Sequence, residues 1–399
     1  MAIRGKGEGT IYCRNGKWIA QYYNNEKKRK TISGKTRKEV QKKLVDALKA
    51  LNDGTYIDTP KVLFGVHVKE YMENYKINEI QRTTYDSYRE YLQAHFYNND
   101  LANIQLSKVT VDIMQRYYNS KTKSGLSSRT VRYLYSILNG ALENARKRHL
   151  ILENPNRDVT LPRKVKKEIC PPSDNEIRLL LKELQGHKLY GLFRLYIFYG
   201  LRRSEALAIQ KKNINWETGE IKLQYSLGYI INDGIEQSRR KHIYVLKEDM
   251  KNKTSKGSIY VDKETLQALK LIIDRQTQEK KENIDIYENT VIFISSDNRF
   301  STIKNDLLFT KSDGRIIPGR EILDELHKVM EKCNIEKKRV HDLRHFFASS
   351  NMKLTKDIKL VSELCRHKQV STTAEIYLHC NAEEKIDARD KYIAAIMEE

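Results

Sequence analysis

The sequence is poor in the features that mark secreted, metal-stapled or membrane-spanning proteins. It has five cysteines in 399 residues, Cys13, Cys170, Cys333, Cys365 and Cys380. They are scattered, odd in number and form no C-x-x-C pair, which argues against a disulfide framework and against a zinc site. No apolar run approaches the roughly 20 residues needed to span a bilayer. Residues 1–8 (MAIRGKGE) lack the apolar core of a signal peptide. A reducing, cytoplasmic location is therefore expected. No internal repeat and no low-complexity tract interrupts the chain. Metal-ligand spacing is missing too, so neither a metal nor another cofactor is expected.

Acidic residues are also in short supply. There are 52 Asp and Glu against 73 Lys and Arg, a formal net charge of +21. Such a balance favours a polyanionic partner, nucleic acid before all others. The hydrophobic fraction of 39% is enough for several cores, so wholesale disorder is not expected. The length suggests two or three domains.

Residues 9–32 read as three short strands. Asn15-Gly16 is a two-residue hairpin signal between the first two. The third strand is basic. Thr36 and Glu39 have capping-box spacing and open a helix whose apolar face is Val40, Leu44, Ala47, Leu48 and Leu51. The sheet carries Lys17, Lys28, Arg29 and Lys30 beside Trp18, a surface suited to a DNA groove. Residues 64–155 read as helices over 64–77, 82–97, 107–119 and 127–148. The last has Val131, Leu134, Leu138, Ala141, Leu142 and Ala145 at helical spacing and Arg132 on its other face. Tyr85, Tyr88, Tyr91, Tyr117 and Tyr118 read as packing residues. Residues 153–172 hold four prolines together with Arg163 and Lys164, which predicts an extended basic linker.

Ser173 and Glu176 cap the next helix. A second helix, 188–199, is hydrophobic nearly all round and so should be buried. It ends at Gly200. Strand signals follow over 221–225, 242–246 and 258–261, with 247–256 as the tip of a hairpin joining the last two. Helices return at 263–282 and 319–333, and the chain is helical from 341 onward. The stretch 283–318 shows no clear organisation.

Within this frame, a few polar residues form an ordered set. Arg202 and Glu205 are three apart, as are His341 and Arg344, so each pair shares a helix face. Lys253 lies in the hairpin tip, and His367 and Tyr377 follow near the C-terminal end. A phenol with a pKa near 10 is a poor nucleophile at neutral pH. It needs a proton acceptor and nearby cations to attack phosphorus. Two guanidiniums can hold phosphate oxygens, histidines can exchange a proton, and a lysine can protonate a leaving alkoxide.

The order G-L-R-x-x-E, then K-T, H-x-x-R, His and Tyr resembles the tyrosine recombinase (phage integrase) family, over the whole chain. The resemblance implies a multidomain, mainly α fold. It implies a small β-sheet-plus-helix arm-type DNA-binding domain (1–54), a four-helix core-binding domain (64–155), and an α+β, mostly helical catalytic domain (173–399). It implies that Arg202, Lys253, His341, Arg344, His367 and Tyr377 are catalytic and that Glu205 supports Arg202. Arg366 stands where the family usually has Gly. The implied activity is site-specific recombination, integrating and excising a mobile element through a 3′-phosphotyrosyl intermediate. The implied partners are double-stranded DNA with core and arm sites, further copies of the chain as a tetramer on DNA, docked through 383–398, and an accessory directionality factor. A type IB topoisomerase-like enzyme shares the chemistry, and a catalytically inactive DNA-binding protein shares the fold. The separate N-terminal unit speaks against the first and the complete residue set against the second.

Overall fold

The computed structural model describes residues 9–24, 27–53, 62–164, 171–236, 240–248, 257–367, 369–377, 389–390, 394 and 397. The chain divides into two compact units, 1–166 and 167–399.

Three antiparallel strands open the first unit: β1 (Thr10–Arg14), β2 (Lys17–Tyr23) and β3 (Arg29–Gly34). The β1–β2 turn is the predicted Asn15-Gly16 pair. Both residues have positive φ, 51° and 73°, the backbone twist that a tight hairpin demands. Helix α1 (Arg37–Asn52) packs on one face of this sheet. Thr36 caps it by accepting the Glu39 N–H at 3.2 Å. Glu39 reaches back to the N–H of Lys35, one residue before the cap, rather than to that of Thr36. Four residues are buried there, Ala20, Tyr22, Val40 and Leu44. With strand alternation, Trp18 shares the helix-facing side with Ala20 and Tyr22, and Arg37 lies over its ring. Trp18 is thus a packing residue in this sheet. Lys17, Tyr23 and Arg29 are exposed on the opposite face, where Arg29 bonds Gln21.

The helical part holds the larger core of this unit. Helix α2 (Phe64–Tyr71) runs through a π turn (Met72–Lys76) into the short α3 (Ile77–Glu79). Then come α4 (Arg82–His95), α5 (Val111–Lys123) and α6 (Ser128–Lys147). Val131, Leu134, Leu138, Ala141, Leu142 and Ala145 are all buried, as their spacing predicts. Tyr85, Tyr117 and Tyr118 are buried and Tyr88 and Tyr91 pack against the same core. The stretch after α6 is not the expected extended linker at first: it passes through bends and a turn over 151–158 before running on without regular structure, and it is docked rather than free. Asn156 accepts from the Tyr118 hydroxyl at 3.0 Å, Thr160 exchanges two bonds with Gln115, and Arg132 forks onto the Pro162 carbonyl at 2.8 and 3.0 Å. Arg163 and Lys164 beyond it are exposed.

The second unit begins at α7 (Asp174–Leu184), with the Ser173–Glu176 capping box formed in both directions. Helix α8 (Tyr190–Phe198) is buried along almost its whole length, as its sequence predicts. The short α9 (Arg203–Ala206) follows. The strands differ from expectation. The predicted run 221–225 is cut at Gln224 into β4 (Glu220–Leu223) and the start of β5 (Tyr225–Ile231), which belong to different sheets. Strands β6 (His242–Glu248) and β7 (Gly257–Tyr260) do not pair with each other. Instead β6 pairs β5 and β7 pairs β4, so the expected two-stranded hairpin is shared between two sheets.

After α10 (Lys263–Glu282), the unassigned stretch forms β8 (Thr290–Ile294) and β9 (Phe300–Lys304). Strand β8 joins β6 in parallel and completes the sheet β5-β6-β8-β9. Helices α11 (Gly319–Lys332), α12 (Val340–Thr355), α13 (Ile358–Leu364) and α14 (Val370–Tyr377) close the described chain. The fold is multidomain and mostly helical with small sheets. Among the described residues, no helix is long and apolar enough to cross a membrane.

Candidate active site

The site is assembled from three separated segments of the second unit. The first is the turn between α8 and α9. Gly200 sits there with φ +58°, a left-handed conformation that costs other residues, and a Cβ would overlap the Phe347 ring. The turn leaves Arg202 as the residue capping α9. Glu205 accepts the Arg202 N–H at 3.0 Å and pairs with its guanidinium. Glu205 itself is 3% exposed, whereas the Arg202 side chain keeps 33% of its surface. Burial works to raise the Glu205 pKa, but Arg202 and Arg366 overcome it and hold the carboxyl below its ordinary value.

The second segment is the start of α12. Asp342 accepts the Arg339 N–H at 2.8 Å and the Arg339 guanidinium at 2.7 Å, which fixes the entry to the helix. Arg344 lies one turn on, 2% exposed. Its two terminal nitrogens donate to the carbonyls of Gly200 and Cys365. Burial, then the nearby Arg202, lowers its pKa to about 10, so it remains a cation at neutral pH. His341 stands at the helix mouth with part of its ring open to solvent. Crowding by the surrounding protein, then His345, Arg344 and Arg339, pushes its pKa down to about 4.

The third segment is the end of α13. Cys365 is fully buried, and Arg366 follows with φ +52°. The Arg366 carbonyl accepts from Arg202 at 3.1 Å. Both arginines thus end on carbonyls of consecutive residues, 365 and 366, immediately before His367. The His367 N–H bonds the Ser362 carbonyl at 2.9 Å, and its Nδ1 is 2.8 Å from the Thr373 hydroxyl. The Thr373 contact occupies Nδ1, leaving Nε2 as the nitrogen for another partner. Burial, then Arg344 and Arg202, lowers the His367 pKa to about 4. Both imidazoles are therefore neutral at pH 7 and can act as hydrogen-bond donors without adding charge.

The structure brings together Arg202, Glu205, His341, Arg344 and His367. Lys253 lies outside the described residues. Tyr377 is the last residue of α14, and its side chain is outside the description. The expected docking segment 383–398 is outside it as well, except residues 389, 390, 394 and 397. Two participants escaped the sequence reading. His345 is buried one turn after His341, with the rings edge to face at 4.6 Å and an unpaired buried Nδ1. Its signal was the four-residue spacing from His341 on one helix. Thr373, 2% exposed, had no signal, because its role follows from the approach of α14 to His367.

Comparison with known proteins agrees with this arrangement. Residues 173–384, more than half the chain, match the phage integrase family, and residues 63–161 match the phage integrase SAM-like domain. The tyrosine recombinase XerC-like protein of Caldanaerobacter subterraneus subsp. tengcongensis is 26% identical over 395 residues, 95% of this chain and 97% of that protein. A solved structure of the Tn1549 transposon integrase with transposon right end DNA covers 83% of this chain and 99% of its own, with TM-score 0.65 and 17% identity. The lambda integrase tetramer bound to a Holliday junction covers 94% of this chain and 96% of its own, with TM-score 0.55 and 13% identity. At such identities the two structures speak to the fold. The family match over more than half its length establishes that the chain belongs to the phage integrase family and is a tyrosine recombinase, a site-specific DNA strand transferase.

Proposed function

We propose that the chain integrates and excises a mobile element, with Tyr377 as nucleophile. One observation carries the assignment of the pocket. Arg202 and Arg344, from segments far apart in sequence, both donate to the short run of backbone that leads into His367. Each guanidinium has further N–H groups beyond those spent on the protein. Those remaining donors hold the non-bridging oxygens of the scissile phosphate and stabilise the charge that builds up in the pentacovalent transition state. Neutral His341 and His367 supply hydrogen bonds and take up the phenol proton. The Tyr377 oxygen bonds to phosphorus as the bond to the 5′-oxygen breaks, and Lys253 protonates that leaving oxygen. The phosphotyrosyl bond conserves the energy of the phosphodiester, so the reverse attack by a 5′-hydroxyl rejoins the strand.

The reading divides the chain into an arm-type unit (1–54), a core-binding unit (64–155) and a catalytic unit (173–399), and the match of residues 63–161 to the phage integrase SAM-like domain and of 173–384 to the phage integrase family supports the last two. In it, double-stranded DNA is held at core sites by the helical and catalytic units and at arm sites by the exposed basic face of the N-terminal sheet. Four copies assemble on DNA, as the lambda integrase tetramer does, in the cytoplasm, with an accessory factor setting direction. The test is a suicide duplex carrying a nick beside the crossover point, so that the cleaved end diffuses away. The wild-type chain should accumulate covalent adduct, and Tyr377→Phe should form none while binding the same duplex. Adduct persisting in that variant would refute the nucleophile.

A further inference from the structure

The residue that departs from the family pattern is built into the pocket. Arg366 has φ +52°, a conformation that glycine takes freely and that strains other residues. Nevertheless its side chain is buried, 8% exposed. One end of its guanidinium lies 3.4 Å from Glu205 Oε2 and another nitrogen donates to the Leu364 carbonyl at 3.2 Å. Its Nε is buried with no partner among the described residues. Glu205 is therefore held by two guanidiniums, not one, at 3% exposure. Arg366 also receives Arg202 on its backbone carbonyl.

This arrangement changes the charge that a bound phosphate would meet. With Gly at 366, the Glu205 carboxylate would cancel one of the two charges of Arg202 and Arg344. With Arg366 present, three guanidiniums face one carboxylate, and two net positive charges remain. We propose that Arg366 is a positioning residue that neutralises Glu205, so that Arg202 offers its full charge to the scissile phosphate. Its side chain does this through Glu205, while its backbone carbonyl orients Arg202. Without Arg366 the Glu205 carboxylate would be held by Arg202 alone and would weaken the positive field that meets the developing phosphorane charge, which is the cost Arg366 removes.

The proposal rests on Arg202 and Arg344 being the phosphate-holding pair, so the test separates the two. The probe is inorganic sulfate, and the readout is the sulfate-dependent rise in Tm of the full-length chain between pH 5 and 8. Arg202→Gln should weaken apparent sulfate affinity. Sulfate affinity unmoved in that variant would overturn the pocket assignment and this inference with it. Arg366→Met and Arg366→Gly should each weaken sulfate by about fivefold or more through the lost charge. Arg366→Gly relieves the backbone and so is the variant expected to fold at least as well as the wild type. Arg366→Lys should restore most of the loss. In a Glu205→Gln background, Arg366→Met should cost much less, because the charge it compensates is gone. The acid limb of the titration should also move to higher pH in Arg366→Met as Glu205 loses its second cation. Arg202→Gln weakened while Arg366→Met and Arg366→Gly match the wild type would overturn this inference alone. Equal losses in Lys and Met variants would replace compensation by shape and overturn it too.

Discussion

The N-terminal sheet and the active-site pocket are both rich in basic side chains, yet they use them in opposite ways. On the sheet, Lys17 and Arg29 stand in solvent around a core of only four buried residues. In the pocket, Arg344 and Arg366 are buried, with their nitrogens directed at named carbonyls and a carboxylate. Exposed cations act through a screened field, add up, and can be exchanged for one another. Buried cations act through fixed geometry, and none can replace its neighbour. In the proposed function, one surface collects DNA at many registers, while the other takes a single phosphate in a single orientation.

The sharpest way to break this contrast is at Arg344. Arg344→Lys keeps the charge but cannot reach the Gly200 and Cys365 carbonyls together while presenting a fork. Adduct formation should fall by about 10²–10³-fold, with DNA affinity nearly unchanged. A rate within a few-fold of wild type would mean that the pocket, like the sheet, reads only charge. Next in size is Gly200→Ala. It forces a side chain into the left-handed region and against Phe347, at a cost of about 2–4 kcal/mol. The Tm should drop, and cleavage with it, because the Gly200 carbonyl that holds Arg344 moves; an unaltered Tm would show that the turn is soft.

Protonation probes the same rigidity. His341 and His367 have pKa values lowered to about 4, against about 6.5 in an unfolded chain. Between those values the unfolded chain binds more protons, so stability should fall as pH drops from 6.5 toward 4 and level off below. Replacing both by Gln should reduce the slope of that part of a Tm-against-pH curve, with His67, His95 and His345, whose pKa values burial also lowers, supplying the remainder; an unchanged slope would place the protons elsewhere. The smallest effect belongs to the sheet. Lys17→Ala or Arg29→Ala should weaken arm-site binding only several-fold. Each should also lower the slope of log affinity against log salt by about one for every phosphate it had neutralised. Weakening that ignores salt would mean that these side chains also read geometry.

How much of this was legible in the sequence depends on distance along the chain. Helix α6, the Ser173–Glu176 cap and the Asn15-Gly16 turn are local, and their periodicity or turn chemistry exposed them directly. The pair spacings marked Arg202 with Glu205 and His341 with Arg344, and family order joined them to His367. The four-stranded sheet was not legible, because β8 pairs with β6 across a helix and no local pattern announces a parallel partner. The break at Gln224 was hidden for the same reason, since a strand that changes sheets still reads as one unbroken apolar-polar alternation. Nor could the sequence show that Arg366 turns back on Glu205, 161 residues away, or that Arg344 meets the Gly200 carbonyl across 144.

Those long-range bonds tie the parts of the pocket to one another. The segments around 200–205, 339–345 and 362–373 each supply what orients another. If one opens, Arg202 loses its carbonyl, Arg344 loses one of two, or Glu205 loses a cation. A nascent or locally unfolded chain keeps its exposed lysines but has no aligned pair of guanidiniums. If the pocket cuts as proposed, the carbonyls of residues 365 and 366 act as an interlock, because neither guanidinium is aligned until the segments that supply them have met.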